Sequence, residues 1–426
     1  MFGWEFPPFF AGGVGMVCYE LTKAMSRHPD LELTYVMPYG PKNADSHIRM
    51  LIANNIVSNS QIKLRKIDSL LTPYITEESY DANYNRKMAM IDNNAEFGVD
   101  NTNRLYGKNL MMEIERFKEK VKLILDEEEF DLVHAHDWTT FPAAIYAQKH
   151  AGKPFIAHVH ITEFNKSGGN GVNQRIYDVE KAGFEAADKI IAVSNLVKDC
   201  IVKNYGISPE KIVVIHNGAE AMECDKNYSL PVKKHNKLVL FAGRITLQKG
   251  PEYFIHAAKK VLEHYNDVLF VMAGTGDQFY KMIETAAELG ISHKFVFHGF
   301  YTREEAQKIF NLADLFIMPS VSEPFGIVPF EAMAKGTPTI ISKQSGCAEV
   351  IKNCLKVDFW DIDEMANKII NVLKYEELQD TMTEEGLREV RQFGWEKPAK
   401  KCIDLYTQMK NMVKEFRLSV EIIWLV

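Results

Sequence analysis

The sequence predicts an α/β fold built from two doubly wound domains, whose parallel sheets face each other across a central cleft. Short apolar runs of strand type alternate with helical stretches along nearly the whole chain, as in parallel sheets flanked by helices. The alternation of strands and helices begins a second time after residues 212–218, which indicates a second domain. At 426 residues, the chain is also too long for one ordinary hydrophobic core.

Composition limits the classes of function. Hydrophobic residues make up 46% of the chain and charged residues 25%, as in soluble globular proteins. The formal net charge of −7 argues against a nucleic-acid partner. The six cysteines form no CxxC pair and no signal peptide is recognisable, so we expect reduced thiols in a cytoplasmic protein. The apolar tail over 420–426 could lie on a membrane surface, but we expect it to pack or fray, and we expect no membrane association.

The first predicted domain spans residues 1–218. Helices are predicted over 110–127 and 175–187, and the polar, irregular residues from about 41 to 110 are predicted to form an insertion with long loops. The strands of this first domain are predicted over 33–37, 132–134, 155–158 and 189–193.

The second predicted domain spans residues 219–396, after a polar linker over 221–236. Several of its strands end in glycine or a polar residue, where open α/β sheets bind ligands. Residues 397–426 are predicted to form a helix and tail that pack back on the first domain. The strands of the second domain are predicted over 238–242, 268–272, 295–297, 315–318 and 339–341.

Gly12, Gly13 and Gly15 follow a first strand predicted within residues 1–6 and precede a helical pattern over 17–25. Glycines let the backbone approach a ligand, and the helix N-terminus behind them favours an anion. The spacing is GGxG rather than the dinucleotide fingerprint GxGxxG, and no acid stands where a ribose partner is expected. The alternative is a tight strand-to-helix turn that binds nothing.

His134 and His136 lie at the end of a predicted strand, in the sequence His-Ala-His-Asp-Trp. Strand alternation places both on one side of the sheet. A metal site is one interpretation, but no third ligand is evident in the sequence. We favour a polar strand end that lines the cleft, where His136 could bond a sugar hydroxyl, with a purely structural pair as the alternative.

Arg244 and Lys249 lie on one glycine-bounded loop that directly follows a predicted strand. Arg offers a planar fork for phosphate oxygens and Lys a flexible point charge. The two cations could therefore bind a diphosphate without any metal. A solvated, functionless pair is the alternative.

The segment from Glu323 to Glu331 is the strongest signal in the chain. It leaves a predicted strand, turns through Pro324 and Gly326, and starts a helix near Pro329, a residue suited to a first helical turn. The amides of Gly326–Val328 would then be unpaired and positively polarised, which suits phosphate. Glu331 could accept bonds from ribose hydroxyls and Glu323 from the sugar. The alternatives are N-terminal helix stabilisation for Glu331 and a solvated acid for Glu323.

In this order, these motifs resemble the retaining glycosyltransferases of GT-B fold, family 4, and especially those related to glycogen and starch synthases. PPFFAGGVG, HAHDW, VIHNG, GRITLQKG and EPFGIVPFE each match a motif of that family. The resemblance implies two Rossmann-like domains, with the acceptor bound mainly by the first and the nucleotide-sugar by the second. Ala11 departs from the Lys that precedes the paired glycines in classical bacterial synthases, which puts ADP-glucose use in doubt.

The resemblance also implies roles for single residues. Arg244 and Lys249 should bind the donor diphosphate, Glu331 the ribose, and Glu323 the transferred sugar, with His136 near its anomeric carbon. His298 and Gly299 match the loop that holds the base. Donor contacts are further expected from Gly12, Gly13, Gly15, Phe325, Gly326, Ile327 and Val328.

The expected reaction transfers a hexose, with retention and without a metal or other cofactor. The donor is a nucleotide diphosphate sugar, with UDP-glucose favoured and ADP-glucose possible, and the acceptor is expected to be an α-glucan. Other acceptors, an epimerase, a phosphorylase and a catalytically silent sugar-binding subunit remain alternatives. The case for an oxidoreductase is weaker than for these alternatives, because neither GGVG nor GTG has the sequence context of the dinucleotide fingerprint.

Overall fold

The computed structural model describes residues 1–7, 13–38, 47–53, 110–168, 171–219 and 235–424. In these ranges the strands are β1 (Thr34–Met37), β2 (Arg49–Ile52), β3 (Val133–His136), β4 (Phe155–Val159), β5 (Lys189–Ala192), β6 (Ile212–Val214), β7 (Lys237–Ala242), β8 (Val268–Ala273), β9 (Phe295–Gly299), β10 (Leu315–Met318), β11 (Thr339–Ser342) and β12 (Leu355–Val357). The helices are α1 (Gly13–Met25), α2 (Leu110–Leu125), α3 (Phe141–Ala151), α4 (Glu163–Ser167), α5 (Gln174–Ala186), α6 (Asn195–Tyr205), α7 (Pro251–Leu262), α8 (Phe279–Glu288), α9 (Arg303–Leu312), α10 (Val328–Ala334), α11 (Ile362–Lys374), α12 (Glu376–Val390) and α13 (Glu396–Trp424).

The C-terminal sheet is parallel throughout, in the order β12-β11-β10-β7-β8-β9. The chain starts in the middle at β7, winds outward to β9, then returns to β10 and winds the other way. This order reverses between β7 and β10, and ligands of such sheets bind beyond the carboxyl ends of the strands at that point. β10 and β11 are buried along their whole length, as expected for strands covered by helices on both faces.

The N-terminal sheet is wound in the same way. β3, β4, β5 and β6 are neighbours in that order and run parallel. Phe2 joins this group to the pair β1–β2, because it forms parallel bridges to both Val36 and Ala135. The predicted α/β fold with two doubly wound parallel sheets is therefore confirmed.

Three strands differ from the sequence prediction, and one of them is β6, which lies at the edge of the N-terminal sheet and was not predicted as a strand. Arg49–Ile52 lies within the predicted irregular insertion, yet forms β2 in register with β1, so that prediction was wrong for these residues. Its run Met-Leu-Ile is short, and the polar residues around it mask the apolar signal. β12, at the edge of the C-terminal sheet, was not anticipated either. The remainder of the insertion from 54 to 109, most of the linker over 221–236, and Gly12 lie outside the described residues.

The first half of α13 packs on the N-terminal half of the protein. Trp395, Cys402 and Tyr406 share a buried apolar cluster with Val17 and Leu21 of α1. The chain leaves the N-terminal half and returns to it at one place, where the Ala219 amide donates to the Phe393 carbonyl over 2.7 Å. Among the described residues, the helices are all too short or too polar to cross a membrane.

Candidate active site

The loops after β7 and β10 lie side by side, because these two strands are neighbours in the sheet. The Val321 amide donates to the Gln248 carbonyl over 2.9 Å, and the Gln248 side-chain amide donates to the Ser322 carbonyl over 2.9 Å. The structure therefore brings the Arg244–Lys249 motif and the Glu323–Glu331 motif together at the switch point of the sheet.

Gly250 sets how closely these loops approach. Its φ is +66°, and a Cβ there would lie 2.1 Å from the Pro319 carbonyl oxygen. Only glycine adopts this conformation and leaves the necessary space without strain.

The Lys249 ammonium group contacts the Glu323 carboxylate, to which the Ser320 hydroxyl also donates over 3.3 Å. Glu323 is buried, and its backbone is fixed by bonds from its amide to the Gln344 carbonyl (3.0 Å) and from the Gly346 amide to its own carbonyl (2.9 Å). A buried carboxylate is tolerated when a charged partner and further donors satisfy it. The pair thus places one anionic and one cationic group at a single fixed point of the site.

Arg244 lies on the same loop, two residues after the end of β7, and is partly buried. Gly243 has φ +145°, and the Ile245 amide donates to the Thr275 carbonyl over 2.9 Å. Gly274, after β8, comes so close that a Cβ on it would lie 1.8 Å from the Gly243 carbonyl oxygen. The loops after β7 and β8 are therefore packed backbone to backbone, which fixes the point from which Arg244 projects.

The turn through Gly326 leads directly into α10, with Pro329 in its first turn as predicted. Gly326 has φ +89°, and a Cβ on it would lie 2.9 Å from Cγ of Glu323, so the turn and the acid are in contact. Within the described residues, no hydrogen-bond acceptor faces the amides of Gly326, Ile327 and Val328. Three N–H groups are therefore free to bind an anion next to the Lys249–Glu323 pair.

Glu331 lies in the first turn of α10 and is partly buried. Burial raises the pKa of the Tyr301 phenol, and the charge of Glu331 raises it further. Tyr301 follows the loop of His298 and Gly299 at the end of β9, where Gly299 has φ +75° and accepts from the Gly274 amide over 2.7 Å. The charge of Glu331, the acid expected to hold the ribose, therefore acts on a residue two positions after the loop expected to hold the base.

The N-terminal glycines have different environments. Gly13 begins α1 at the surface, and a Cβ on it would lie 3.7 Å from Cδ1 of Ile327, so it faces the C-terminal half. The Gly15 amide donates to the buried Glu5 carboxylate over 2.9 Å and is not available to a donor anion. Gly12 lies outside the described residues, so of the three only Gly13 has a described contact with the donor loop.

His134 and His136 lie on the same side of β3, as predicted, with ring centroids 4.6 Å apart. They belong to a larger stack that includes His158 and His160 of the neighbouring strand segment, two residues the sequence analysis did not select. The repeated His-Val-His spacing on the next predicted strand was the available signal. His136 bonds His160 over 2.9 Å and His134 bonds His158 over 3.0 Å.

The stack is buried and uncharged. Burial, reinforced by repulsion between the rings, lowers the pKa of His134, His136 and His158 far below their usual range. Burial alone lowers the pKa of His160 to about 3. Among the described residues, Nε2 of His136 and Nδ1 of His160 have no hydrogen-bond partner, so each could bond a hydroxyl of a bound molecule.

The structure brings further possible ligands next to His134 and His136, although none was evident in the sequence. Ligand atoms of two overlapping sets lie within 4.8 Å of one another: Cys18, His136 and His160, and His134, His136 and His158. The rings already pair through N–H···N bonds, however, and burial raises the pKa of the Cys18 thiol, which disfavours the thiolate a metal needs. The arrangement fits hydrogen bonding better than metal binding.

Asp137 connects the ends of β3 and β4. It has φ +57°, unusual for a residue other than glycine, and its carboxylate accepts the His160 amide over 2.8 Å. Burial raises its pKa to about 7, although the bonds from the His160 and Ile161 amides lower it. A left-handed backbone conformation and a perturbed acid at the carboxyl edge of a sheet are features typical of functional positions.

Comparison with known proteins finds two matching families and similar individual proteins. The chain matches the families described as "Glycosyl transferases group 1" over residues 225–389 and "Glycosyltransferase Family 4" over residues 100–221. A protein of Methanocaldococcus jannaschii described as an uncharacterized glycosyltransferase is 32% identical over 311 residues, which are 69% of this chain and 80% of that protein. A glycogen synthase of Mycobacterium tuberculosis is 29% identical over 226 residues, 52% of this chain and 54% of that enzyme.

The fold also matches solved structures. Sucrose-phosphate synthase from Thermosynechococcus elongatus superposes with a TM-score of 0.71 at 21% identity, over 94% of each chain. The two domain families, the relative that is similar over most of its length and the two doubly wound parallel sheets agree with one another. The chain therefore belongs to the glycosyltransferases of family 4 type, with the GT-B fold of two Rossmann-like domains.

Proposed function

We propose that the protein is a retaining, metal-independent hexosyltransferase that moves glucose from a nucleotide diphosphate sugar to a glucan-like acceptor. One observation carries the proposal: the Lys249–Glu323 pair lies beside three open amides at the switch point of the C-terminal sheet. A cation, an anion-binding turn and a carboxylate at one point match the needs of a sugar diphosphate.

The donor would lie along the carboxyl edge of the C-terminal sheet. Arg244, Lys249 and the amides of Gly326–Val328 bind its diphosphate, and Glu331 binds the ribose. His298 and Gly299, beside Tyr301, flank the base. His298 and Gly299 end β9, Arg244 and Lys249 follow β7, and the Gly326 turn and Glu331 follow β10. These strands belong to one sheet, in which their order is β9-β8-β7-β10.

The transferred sugar would lie between Glu323 and the histidine stack. Glu323 accepts bonds from sugar hydroxyls, and Nε2 of His136 bonds a hydroxyl near the anomeric carbon. His160 is a second candidate for this bond, because it follows β4 at the carboxyl edge of the sheet and its Nδ1 has no partner among the described residues.

Catalysis would be mainly electrostatic. As the bond to the sugar breaks, negative charge grows on the leaving phosphate, and Arg244, Lys249 and the amides of the Gly326 turn stabilise it in a partly buried site. These groups take the place of a divalent cation. The leaving phosphate would accept the proton of the incoming hydroxyl on the same face of the sugar, which gives retention.

UDP-glucose is the favoured donor and an α-glucan the favoured acceptor. Support comes from the similarity to a glycogen synthase and to the fold of a sucrose-phosphate synthase, whereas Ala11 in place of lysine weighs against ADP-glucose. The described cysteines, Cys18, Cys200, Cys347, Cys354 and Cys402, are free thiols, as in proteins of the cytoplasm.

A screen of thermal stability with UDP-, ADP- and GDP-sugars tests donor binding. A ligand at about 100 times its Kd adds about 2.7 kcal/mol to the free energy of unfolding, which a melting curve resolves. The product made from UDP-glucose and glycogen in the presence of EDTA is then examined by proton NMR. An α-linked product supports the proposal, whereas an inverted linkage or loss of activity with EDTA contradicts it.

Absence of any shift with all these nucleotide-sugars would favour the alternative of a catalytically silent subunit. Donor binding and donor hydrolysis without transfer to glycogen would favour a glycosyltransferase for another glycan or a lipid acceptor.

A further inference from the structure

The N-terminus of α6 forms a polar junction with the C-terminal half of the chain. The Glu349 carboxylate, in a short turn after β11, accepts the amides of Asn195 (3.0 Å) and Leu196 (2.9 Å). It also bonds the Asn195 side chain over 2.9 Å and the His216 ring over 2.8 Å. One carboxylate of the C-terminal half thus satisfies the first amides of a helix in the N-terminal half, where an anion is favoured.

Ser194, the residue that caps α6, reaches the donor loop directly. Its hydroxyl accepts the Val197 amide over 3.1 Å, which is the capping bond, and donates to the Pro324 carbonyl over 2.5 Å. Pro324 stands between Glu323 and the Gly326 turn. Ser194 is fully buried, so its bond to Pro324 is shielded from solvent.

Gly346 makes this approach possible. A Cβ on Gly346 would lie 2.2 Å from the Pro324 carbonyl oxygen and 2.6 Å from Cβ of Ser194. Its amide bonds the Glu323 carbonyl, and the next amide, that of Cys347, bonds the Phe325 carbonyl over 2.7 Å. The loop is therefore held on one side by its own domain and on the other by Ser194.

The bond from Ser194 fixes the plane of the peptide that joins Pro324 to Phe325. In a trans peptide the N–H points opposite to the carbonyl, so the Phe325 amide is directed away from Ser194. Within the described residues that amide has no acceptor, like the three amides that follow it. A rotation of this peptide would redirect the amide and shift both Glu323 and the Gly326 turn.

We propose that Ser194 and Glu349 are positioning residues, which fix the Glu323–Val328 loop in its donor-binding geometry only while the two halves of the protein are in contact. The inference rests on the proposed function for the role of that loop. Ser194 and Pro324 belong to opposite halves, so the geometry of the sugar and phosphate site depends on the interface between the halves at the start of α6. Glu349 stabilises the same interface through the amides next to Ser194.

Hydrogen exchange of the full chain tests the positioning without any ligand. Ser194→Ala should speed exchange about tenfold in peptides covering 343–350, because the Gly346 and Cys347 amides bond the loop. Asn173→Ala is the matched control, since Asn173 caps α5 through the Arg175 and Ile176 amides and does not touch the loop. Faster exchange confined to the start of α6 in Ser194→Ala would reduce Ser194 to a helix cap and overturn the proposal.

Turnover of UDP-glucose with glycogen tests the consequence for catalysis. Ser194→Ala should lower kcat at least about tenfold and raise the Kd for UDP by a smaller factor, because the bonds of the turn to the leaving phosphate strengthen as its negative charge grows in the transition state. Ser194→Thr, which keeps the hydroxyl, should recover most of kcat, and Glu349→Gln should lower it less than Ser194→Ala does. An effect on the Kd for UDP alone, with unchanged kcat, would contradict the proposal.

Hydrogen exchange and turnover together distinguish a failure of the positioning role from a failure of the proposed function. A wild-type protein that neither binds UDP nor transfers glucose contradicts the proposed donor, while the exchange of residues 343–350 still decides whether Ser194 holds the loop. Unchanged exchange in an active enzyme contradicts the positioning role alone.

Discussion

The Lys249 ammonium group pairs with the Glu323 carboxylate, although 74 positions separate the two residues in the chain. The contact exists because β7 and β10 are neighbours, so the loops after them meet at one edge of the sheet. The side chain of Glu323 is 8% exposed and that of Lys249 is 21% exposed. An incoming diphosphate would therefore compete with Glu323 for Lys249 and leave Glu323 to bond the sugar.

Breaking this pair should destabilise the protein more than removing both charges. Lys249→Ala leaves a buried carboxylate that, among the residues the structure describes, has only the Ser320 hydroxyl as a side-chain partner. We expect this to cost about 2 kcal/mol, below the 3–5 of a fully buried pair. Lys249→Ala combined with Glu323→Gln should recover about half of that loss. Urea unfolding of the two variants measures the difference.

The surface pair Lys410–Asp131 supplies the control, because both side chains are at least half exposed. Lys410→Ala should change the free energy of unfolding by less than about 0.5 kcal/mol. Equal loss of stability in the single and double variants at the Lys249–Glu323 pair would mean that burial of the charge does not matter there.

Arg244→Ala should reduce turnover more than donor binding. If Arg244 stabilises charge that develops on the leaving phosphate, kcat should fall about 10²–10³-fold, as for the loss of one transition-state donor. The Kd for UDP should rise far less. Arg244→Lys keeps the charge without the planar fork and should give an intermediate kcat. Equal losses in donor affinity and kcat/KM, with kcat unchanged, would place Arg244 in ground-state binding instead.

The sequence was sufficient to predict most strands and the loops that carry the site, because buried parallel strands are apolar runs that end in glycine or polar residues. Local sequence patterns do not determine the order of strands in a sheet, however. The contact between Lys249 and Glu323 could therefore be found only from the folded structure. For the same reason Glu5 could not be foreseen at the Gly15 amide, nor Ser194 at Pro324. β2 was missed because only three of its residues are apolar.

Gly250→Ala should be more damaging than an alanine at another glycine of the same backbone conformation. Gly250 and Gly152 have φ +66° and +59°, but a Cβ at 152 meets nothing within 4 Å, whereas at 250 it meets the Pro319 carbonyl oxygen. Gly152→Ala should therefore cost only the left-handed conformation, about 1–2 kcal/mol. Gly250→Ala should cost at least about 1 kcal/mol more, since the two loops must separate.

The Kd for UDP provides the second measurement for this pair. Separation of the loops displaces Lys249, so Gly250→Ala should weaken UDP binding at least about tenfold, which is about 1.4 kcal/mol. Gly152→Ala should leave it unchanged. Similar effects of the two substitutions on both stability and binding would show that the approach to Pro319 is not tight in solution.

Acidification should destabilise the protein through the four stacked histidines. Their pKa values in the folded state lie below the usual 6.5, chiefly because of burial, so the unfolded chain binds protons that the folded protein does not. The free energy of unfolding should therefore fall as the pH drops below about 6.5, and the stabilisation should be complete above it. Asp137 acts in the opposite sense, because its raised pKa of about 7 favours the folded state at lower pH.

His158→Gln isolates one ring of the stack from these opposing effects. It removes one proton from the difference between the unfolded and folded states, so the dependence of stability on pH between 5 and 6.5 should become shallower by up to about 1.4 kcal/mol per pH unit. Urea unfolding at pH 5.0, 5.5, 6.5 and 7.5 measures this slope for the variant and the wild type. His293→Gln, at an exposed position, is the control and should leave the slope unchanged. A slope for His158→Gln equal to that of the wild type would show that the ring of His158 takes up a proton inside the folded protein.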